Sequence, residues 1–388
     1  VLLALSSIPL VMTLGNSTLI PVIPIIQRQL TLSPLQASLI ITVYSIVAVP
    51  LIPIAGFLSD RIGRKAVIIP SLILAGLGGM TAGFAAVLLT KPYNLILAAR
   101  MLQGVGAAGA FPLVLPLTRD LFLDENEVSH ALGLVETANT FGKVLSPMLG
   151  AYLAGISWLT PFFAIPVLVA VSLSAIILFV GKPAKEQDSL DTGLSLKQLK
   201  VIFQKEGRWL VAVYLTGCII MLLLFGIQFY IAEVLEGRSI NSNVSRGLIL
   251  AIPLAGLCLA SYLTGKFLGD DKSQMKWTAL SGMAILSITC AVMAYCQNLT
   301  LLITILTLGF CGIGTALPSL DALITENIAK EHNGTVTSIF NSMRFIGVAA
   351  GPPAFALLMR SHKSLFLTAS GIALLAVVLI GRLIKTGN

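Results

Sequence analysis

Residues 56–69 read GFLSDRIGRKAVII. A short polar turn, rich in bases, is pressed between two long apolar runs. A turn this tight needs glycine where backbone crowds backbone, because glycine has no Cβ to collide. Asp60 is placed to accept hydrogen bonds at a neighbouring helix N-terminus, where the helix dipole favours an anion. Arg61, Arg64 and Lys65 fix the turn on one side of the medium that dissolves its apolar flanks.

Composition names that medium. The chain has 388 residues, of which 56% are hydrophobic and 11% charged, whereas soluble domains carry about 25% charged residues. Apolar blocks of roughly 20 residues recur along the whole length, the span of a helix across a bilayer of about 30 Å. Backbone in lipid must satisfy itself, so these blocks read as helices. They lack the alternation of a membrane barrel. The expected class is an all-α membrane protein with spans near 1–26, 36–57, 66–90, 93–118, 129–155, 157–180, 209–233, 245–267, 277–297, 299–325, 334–359 and 364–384. The first block holds Pro21 and Pro24 and no small-residue cleavage site, so it reads as a span and not a signal peptide. The longest polar loop, 181–208, divides an N-terminal six-helix bundle (1–180) from a C-terminal one (209–388).

The net charge of +8 does not point to nucleic acid, because the bases sit in loops between apolar blocks. With the N-terminus inside, the inner loops hold Arg61, Arg64, Lys65, Arg119, Lys182, Lys185, Lys197, Lys200, Lys205 and further bases. The outer side holds only Arg28, Lys91, Arg238, Arg246, Arg360 and Lys363. That excess places both termini in the cytoplasm. Cys218, Cys258, Cys290, Cys296 and Cys311 lie in apolar surroundings without metal-type spacing and read as packing residues. His130, His332 and His362 fall in or near loops and read as solvated. No nucleophile triad, metal cluster or phosphate loop is present, so no enzyme and no cofactor is expected. GVGAAG at 104–109 lies inside a span with no strand before it, and helix packing explains it better than dinucleotide binding.

The halves repeat. ETANTFGKVLSP (136–147) aligns with NSMRFIGVAAGP (341–352), and both Gly347 and Pro352 follow Gly142 and Pro147 by 205 residues. Two six-span halves of parallel orientation are a common transporter plan, with the substrate site near midplane.

On these residues the chain resembles the major facilitator superfamily. Its signature after the second span runs Gly-x-Leu-Ala-Asp-Arg-x-Gly-Arg-Lys, matched by Gly56, Leu58, Asp60, Arg61, Gly63, Arg64 and Lys65, with Ser59 in place of alanine. LGNSTLIPVIP (14–24), RMLQGVGAA (100–108) and GKVLSPMLGA (142–151) are similar to the first-, fourth- and fifth-span patterns of the twelve-span drug:proton antiporter branch. The last departs at Ser146 and Ala151, where that branch has glycine. The resemblance implies two pseudo-symmetric six-helix bundles, a conformational latch at the 56–65 loop and a proton-coupling role for Arg100.

Span five carries the densest polar pattern. Gly142, Ser146 and Gly150 recur every four residues and form a smooth ridge that lets another helix approach closely. Pro147 adds a possible kink. Gly347, Gly351 and Pro352 are the matching packing set in span eleven. Glu136, Asn139 or Thr140, and Lys143 form a second, polar stripe. Glu136 and Lys143 are about 10 Å apart along the axis, too far for direct contact. A charge near midplane costs a few kcal/mol unless it meets water or a partner, so the stripe is expected to face a central cavity. Arg100, Asp321 and Arg344 are the other buried charges. Asn16, Tyr44, Gln228, Tyr230 and Asn341 are further cavity candidates. Spans three, six, nine and twelve have no charge in their interiors, as lipid-facing helices should.

The expected protein is a secondary transporter of the cell membrane, exporting a small amphipathic compound against inward proton flow. Arg100, Glu136 and Asp321 would couple the proton. The expected partners are that substrate and membrane lipid, with no nucleic acid, and the chain is expected to act as a monomer. Because buried bases outnumber firmly buried acids, a flippase for an anionic or zwitterionic lipid or glycolipid on the same fold is the alternative. A non-transporting membrane sensor is the remote one.

Overall fold

The computed structural model describes the backbone of residues 1–122, 124–181, 196–238, 240, 242–269, 271–328 and 330–384, excluding the side chains of residues 125, 126, 129, 196–206 and 330–335. Residues 182–195 of the expected 181–208 linker, with Lys182 and Lys185, therefore lie outside the described residues, as do the side chains of Lys197, Lys200, Lys205 and His332. The described residues form helices and no strand. In chain order these are α1 (Leu2–Gln29), α2 (Pro34–Ile62), α3 (Arg64–Leu88), α4 (Tyr93–Leu121), α5 (Glu125–Ile156), α6 (Thr160–Phe179), α7 (Leu196–Glu236), α8 (Asn243–Phe267), α9 (Lys272–Met293), α10 (Leu299–Asn327), α11 (Lys330–Leu358) and α12 (His362–Leu383).

Local chemistry explains the ends. Ser33 and Gln36 form a reciprocal capping box ahead of α2 (3.2 and 2.9 Å), with Pro34 in the first turn, where its missing N–H costs nothing. Asp271, Asn298 and Ser361 cap α9, α10 and α12 through their side chains. Two helices are interrupted. α1 passes through a 3-10 step at Ile20–Val22, which contains Pro21 and is followed by Pro24. α4 breaks between Ala110 and Val114. Pro147 does not break α5, which runs on through it for 32 residues.

The turn that decided the reading is tighter than expected. Gly56, Asp60 and Arg61 belong to the last turns of α2, Gly63 alone is the joint, and Arg64 opens α3. Gly63 has φ 93°, a conformation that a side chain would strain. Asp60 does not cap the α3 backbone as expected. It accepts instead from the Arg64 guanidinium at 3.1 Å.

The chain groups into two compact units, Val1–Gly193 with Ala232–Leu248, and Leu194–Ile231 with Ile249–Asn388. In the first unit α5 lies on α1. A Cβ at Gly142 would press on Leu10 and Thr13 at 3.3 Å, and one at Gly150 would run into the Thr18 carbonyl and Pro21. α4 packs on α2 and α3 through Gly104 and Gly106, which oppose the Tyr44 and Ser71 carbonyls. In the second unit α11 lies on α7 in the same way, with Gly347 against Cys218 and Leu222, and Gly351 against the Leu222 carbonyl. Thr13 and Cys218, the residues met by Gly142 and Gly347, are themselves 205 positions apart. The repeat thus extends to its contacts. α3, α6, α9 and α12 turn apolar side chains such as Phe84, Val171, Ile288 and Leu374 outward. The described residues are all-α, in twelve helices, with ten stretches long and apolar enough to cross a membrane.

Candidate functional site

Arg100, on α4, is fully buried. Its Nε donates to the Ile40 carbonyl (2.9 Å), NH1 to the Gly15 carbonyl (3.2 Å) and Gln103 Oε1 (2.6 Å), and NH2 to Asn16 Oδ1 (2.6 Å). The guanidinium also sits over the Tyr44 ring, 4.6 Å from its centroid. All these partners are neutral. They tie α1, α2 and α4 together just before the 3-10 step of α1. Asn16 and Tyr44, expected to line a cavity, are both buried and turned to this arginine.

The polar stripe of α5 turns toward α1. Thr13 Oγ1 donates to Asn139 Oδ1 (2.6 Å), and Asn139 Nδ2 donates to Glu136 Oε1 (2.9 Å). Asn139 is 3% exposed and Thr140 8%. Glu136 is exposed and Lys143 half-buried. The amide therefore aims the carboxylate with one hand and holds α1 with the other. Ser146 is buried within the ridge, and its hydroxyl returns to the Gly142 carbonyl at 2.7 Å.

In the second unit Arg344 NH1 lies 3.6 Å from Asp321 Oδ1, joining α10 to α11. The guanidinium also lies 5.6 Å from the Phe340 ring centroid. Asn341 is half-buried on the same helix, and Gln228 is buried on α7. Tyr230 is buried too, and its hydroxyl lies 2.7 Å from His362 Nδ1. His362 was expected to be solvated. It is half-buried between Tyr230 and the Met293 carbonyl, because Phe366 and the end of α9 fold over it.

At the α2–α3 joint Arg64 serves two acids. It reaches Asp60 at 3.1 Å and, through Nε, Asp120 Oδ2 at 2.5 Å. Lys65 Nζ donates to the Val180 carbonyl at the end of α6 (2.5 Å), and Arg61 stacks over Phe57 (4.2 Å). Sequence reasoning missed Asp120, Thr13 and Gln103. Gln103 stands one helical turn from Arg100, a signal that was available. It also passed over an ionic cluster in the first unit, where Glu236 at the end of α7 pairs with both Arg28 and Arg246. Nearby, the buried Oε1 of Glu233 has no hydrogen-bond partner among the described residues. Among the described residues no group of His, Cys, Asp or Glu is arranged to hold a metal.

Comparison with known proteins agrees with this architecture. The chain is 49% identical over 359 residues to the Bacillibactin exporter of Bacillus subtilis (strain 168), covering 92% of this chain and 89% of that protein. It is 26% identical over 349 residues to the Multidrug efflux protein YfmO of the same organism, covering 87% and 81%. It is 28% identical over 342 residues to the Multidrug resistance protein MdtG of Escherichia coli O9:H4 (strain HS), covering 84% and 79%. The fold is shared with the human organic anion transporter MFSD10 (TETRAN), at TM-score 0.74 and 19% identity over 98% of both chains. It is shared equally with an inward-facing bacterial homolog of the human lysosomal transporter Spinster, at TM-score 0.78 and 14% identity over 99% and 96%. The sequence pattern of the Major Facilitator Superfamily matches residues 5–352 and 247–386, and the chain, a multi-pass membrane protein, belongs to that superfamily.

Proposed function

We propose that the chain is an exporter of a small amphipathic compound, driven by inward proton flow across the cell membrane. The observation that carries this reading is the 49% identity to the Bacillibactin exporter across nearly the whole of both chains. That relative makes bacillibactin the first cargo to test. Motion of one bundle against the other would expose the cargo alternately to the two sides. No bound cofactor is needed, since the coupling ion is the proton. Both termini would lie in the cytoplasm, and a monomer suffices.

Glu136 and Asp321 are the acids best placed to carry the proton. Each is held by a neighbour, Asn139 in one case and Arg344 in the other, and a carboxylate so held responds to its surroundings when it gains a proton. Arg100 serves the coupling indirectly, by fixing α1, α2 and α4. The test uses inverted membrane vesicles acidified inside, with bacillibactin added outside. Uptake is expected to follow the pH gradient and to stop when a protonophore collapses it. The Glu136→Gln, Asp321→Asn double variant is expected to lose about tenfold or more in rate, about 1.4 kcal/mol in barrier. Uptake indifferent to the gradient, together with full activity of the double variant, would refute proton drive.

A further inference from the structure

Tyr230, His362 and Met293 bring three helices of the second unit to one point. His362 Nε2 lies 2.8 Å from the Met293 carbonyl oxygen. A carbonyl only accepts, so Nε2 carries the ring hydrogen. In the neutral ring Nδ1 is then bare, and it accepts from the Tyr230 hydroxyl at 2.7 Å. Both nitrogens are thereby used, and the tautomer is fixed. The ring is also held edge-on by Phe366, with centroids 4.9 Å apart, and Phe366 packs T-shaped on Tyr230 at 5.5 Å. Met293 is the last residue of α9, so its carbonyl stands at the negative end of a helix dipole.

The surrounding charges are few. From α7 the ring meets Tyr230, with Glu233 one turn further along that helix. From α9 come the Met293 carbonyl and, near it, the buried thiols Cys290 and Cys296. Lys363, next to His362 on α12, is turned to the Tyr295 ring at 4.8 Å. Arg360, at the end of α11, is exposed. Among the described residues no carboxylate bonds to the imidazole.

We propose that His362 is a proton-binding site in the second unit, taking the proton at Nδ1 and thereby reversing its hydrogen bond with Tyr230. In the charged ring Nδ1–H donates to the tyrosine oxygen, and the tyrosine hydrogen swings away. No other bond is made or broken. The contact between α7 and α12 thus exists in two forms that differ by one proton. With the termini inside, this point lies at the outer end of α12, on the side from which protons enter. Its use in transport rests on the proton-driven reading above; the site itself does not.

The experiment is 15N NMR of the full chain in lipid nanodiscs, with the histidine rings labelled. The sequence holds three histidines, and the His362 signal is identified by its loss in His362→Gln. Should that variant not fold, His130→Gln and His332→Gln assign the signal by elimination. The ring is expected to be neutral and protonated on Nε2 at about pH 8, and to pass to imidazolium on acidification. Tyr230→Phe is expected to move the midpoint by half a pH unit or more, about threefold in proton affinity. A ring that stays neutral to about pH 5, or a midpoint unmoved in Tyr230→Phe, would overturn the proposal. Gradient-independent uptake alongside a normal His362 titration would remove the proton-driven reading and leave the site standing.

Discussion

A guanidinium buried within a membrane span costs at least a few kcal/mol. Arg100 offsets that cost with four neutral acceptors and an aromatic face. Lysine has neither the fork nor the planar face needed to serve them all. Arg100→Lys is therefore expected to lower the melting temperature of the purified protein. Arg100→Ala, which strands buried neutral acceptors, is expected to cost about 1–3 kcal/mol for each acceptor left unsatisfied, read by chemical unfolding in detergent. A second prediction concerns Asn139. Its truncation to alanine leaves the Thr13 hydroxyl without its acceptor and frees Glu136 to wander. The expected cost is about 1–3 kcal/mol with a loss of gradient-driven uptake, whereas Thr137→Ala, on an exposed position of the same helix, should leave both unchanged. The sequence made Arg100, Glu136 and Asn139 visible, because polar residues are conspicuous in an apolar run. It hid their partners. Gly15 and Ile40 act through backbone carbonyls, which leave no trace in residue type, and Thr13 is a hydroxyl of the common kind that usually bonds its own helix. His362 was misread for a related reason: its place at a helix start suggested water, and only the fold of α9 over it takes the water away.

Among the elements, helix separation is set by glycine. Gly347 on α11 opposes the Cys218 carbonyl, and Gly150 on α5 opposes that of Thr18. Alanine at either must push two helices apart, while Gly133 and Gly155 have open space where a Cβ would go. Gly347→Ala and Gly150→Ala are thus expected to reduce the yield of monodisperse protein in size-exclusion chromatography, and Gly133→Ala and Gly155→Ala to leave it intact. An overpacked contact of this kind costs typically about 1–3 kcal/mol. The four-residue spacing of Gly142, Ser146 and Gly150 announced a packing ridge, and the ridge does lie against α1. The helix breaks were harder to read. Pro21 and Pro24 accompany the step in α1, but the interruption of α4 falls in GAFPLV, where Pro112 is the only breaker. Pro147, a comparable signal, sits in an unbroken α5. A proline reports a missing N–H; whether the helix bends there is decided by the neighbours.

For the whole molecule, the hydropathy pattern and the basic turn at Gly63 were enough to read the fold, because a membrane permits so few solutions. The ionic arrangement at the α2–α3 joint carries a further prediction. Arg64 is shared by Asp60 and Asp120, so Asp120→Asn should weaken its hold and slow gradient-driven uptake, and Arg64→Lys, which keeps the charge and loses the fork, should slow it likewise. Two helices stand apart from the other ten in a way that bears on how the protein is made. Among the described residues, ten helical stretches are long and apolar enough to cross a membrane by themselves, and α5 and α11 are not among them. Insertion machinery sorts each emerging segment by its apolarity. During synthesis, then, α5 is expected to settle in the lipid only once α1 covers its buried amide, and α11 once it packs on α7. Biogenesis would proceed as two successive half-assemblies, and a ribosome stalled soon after α5 would leave that segment stranded outside the lipid.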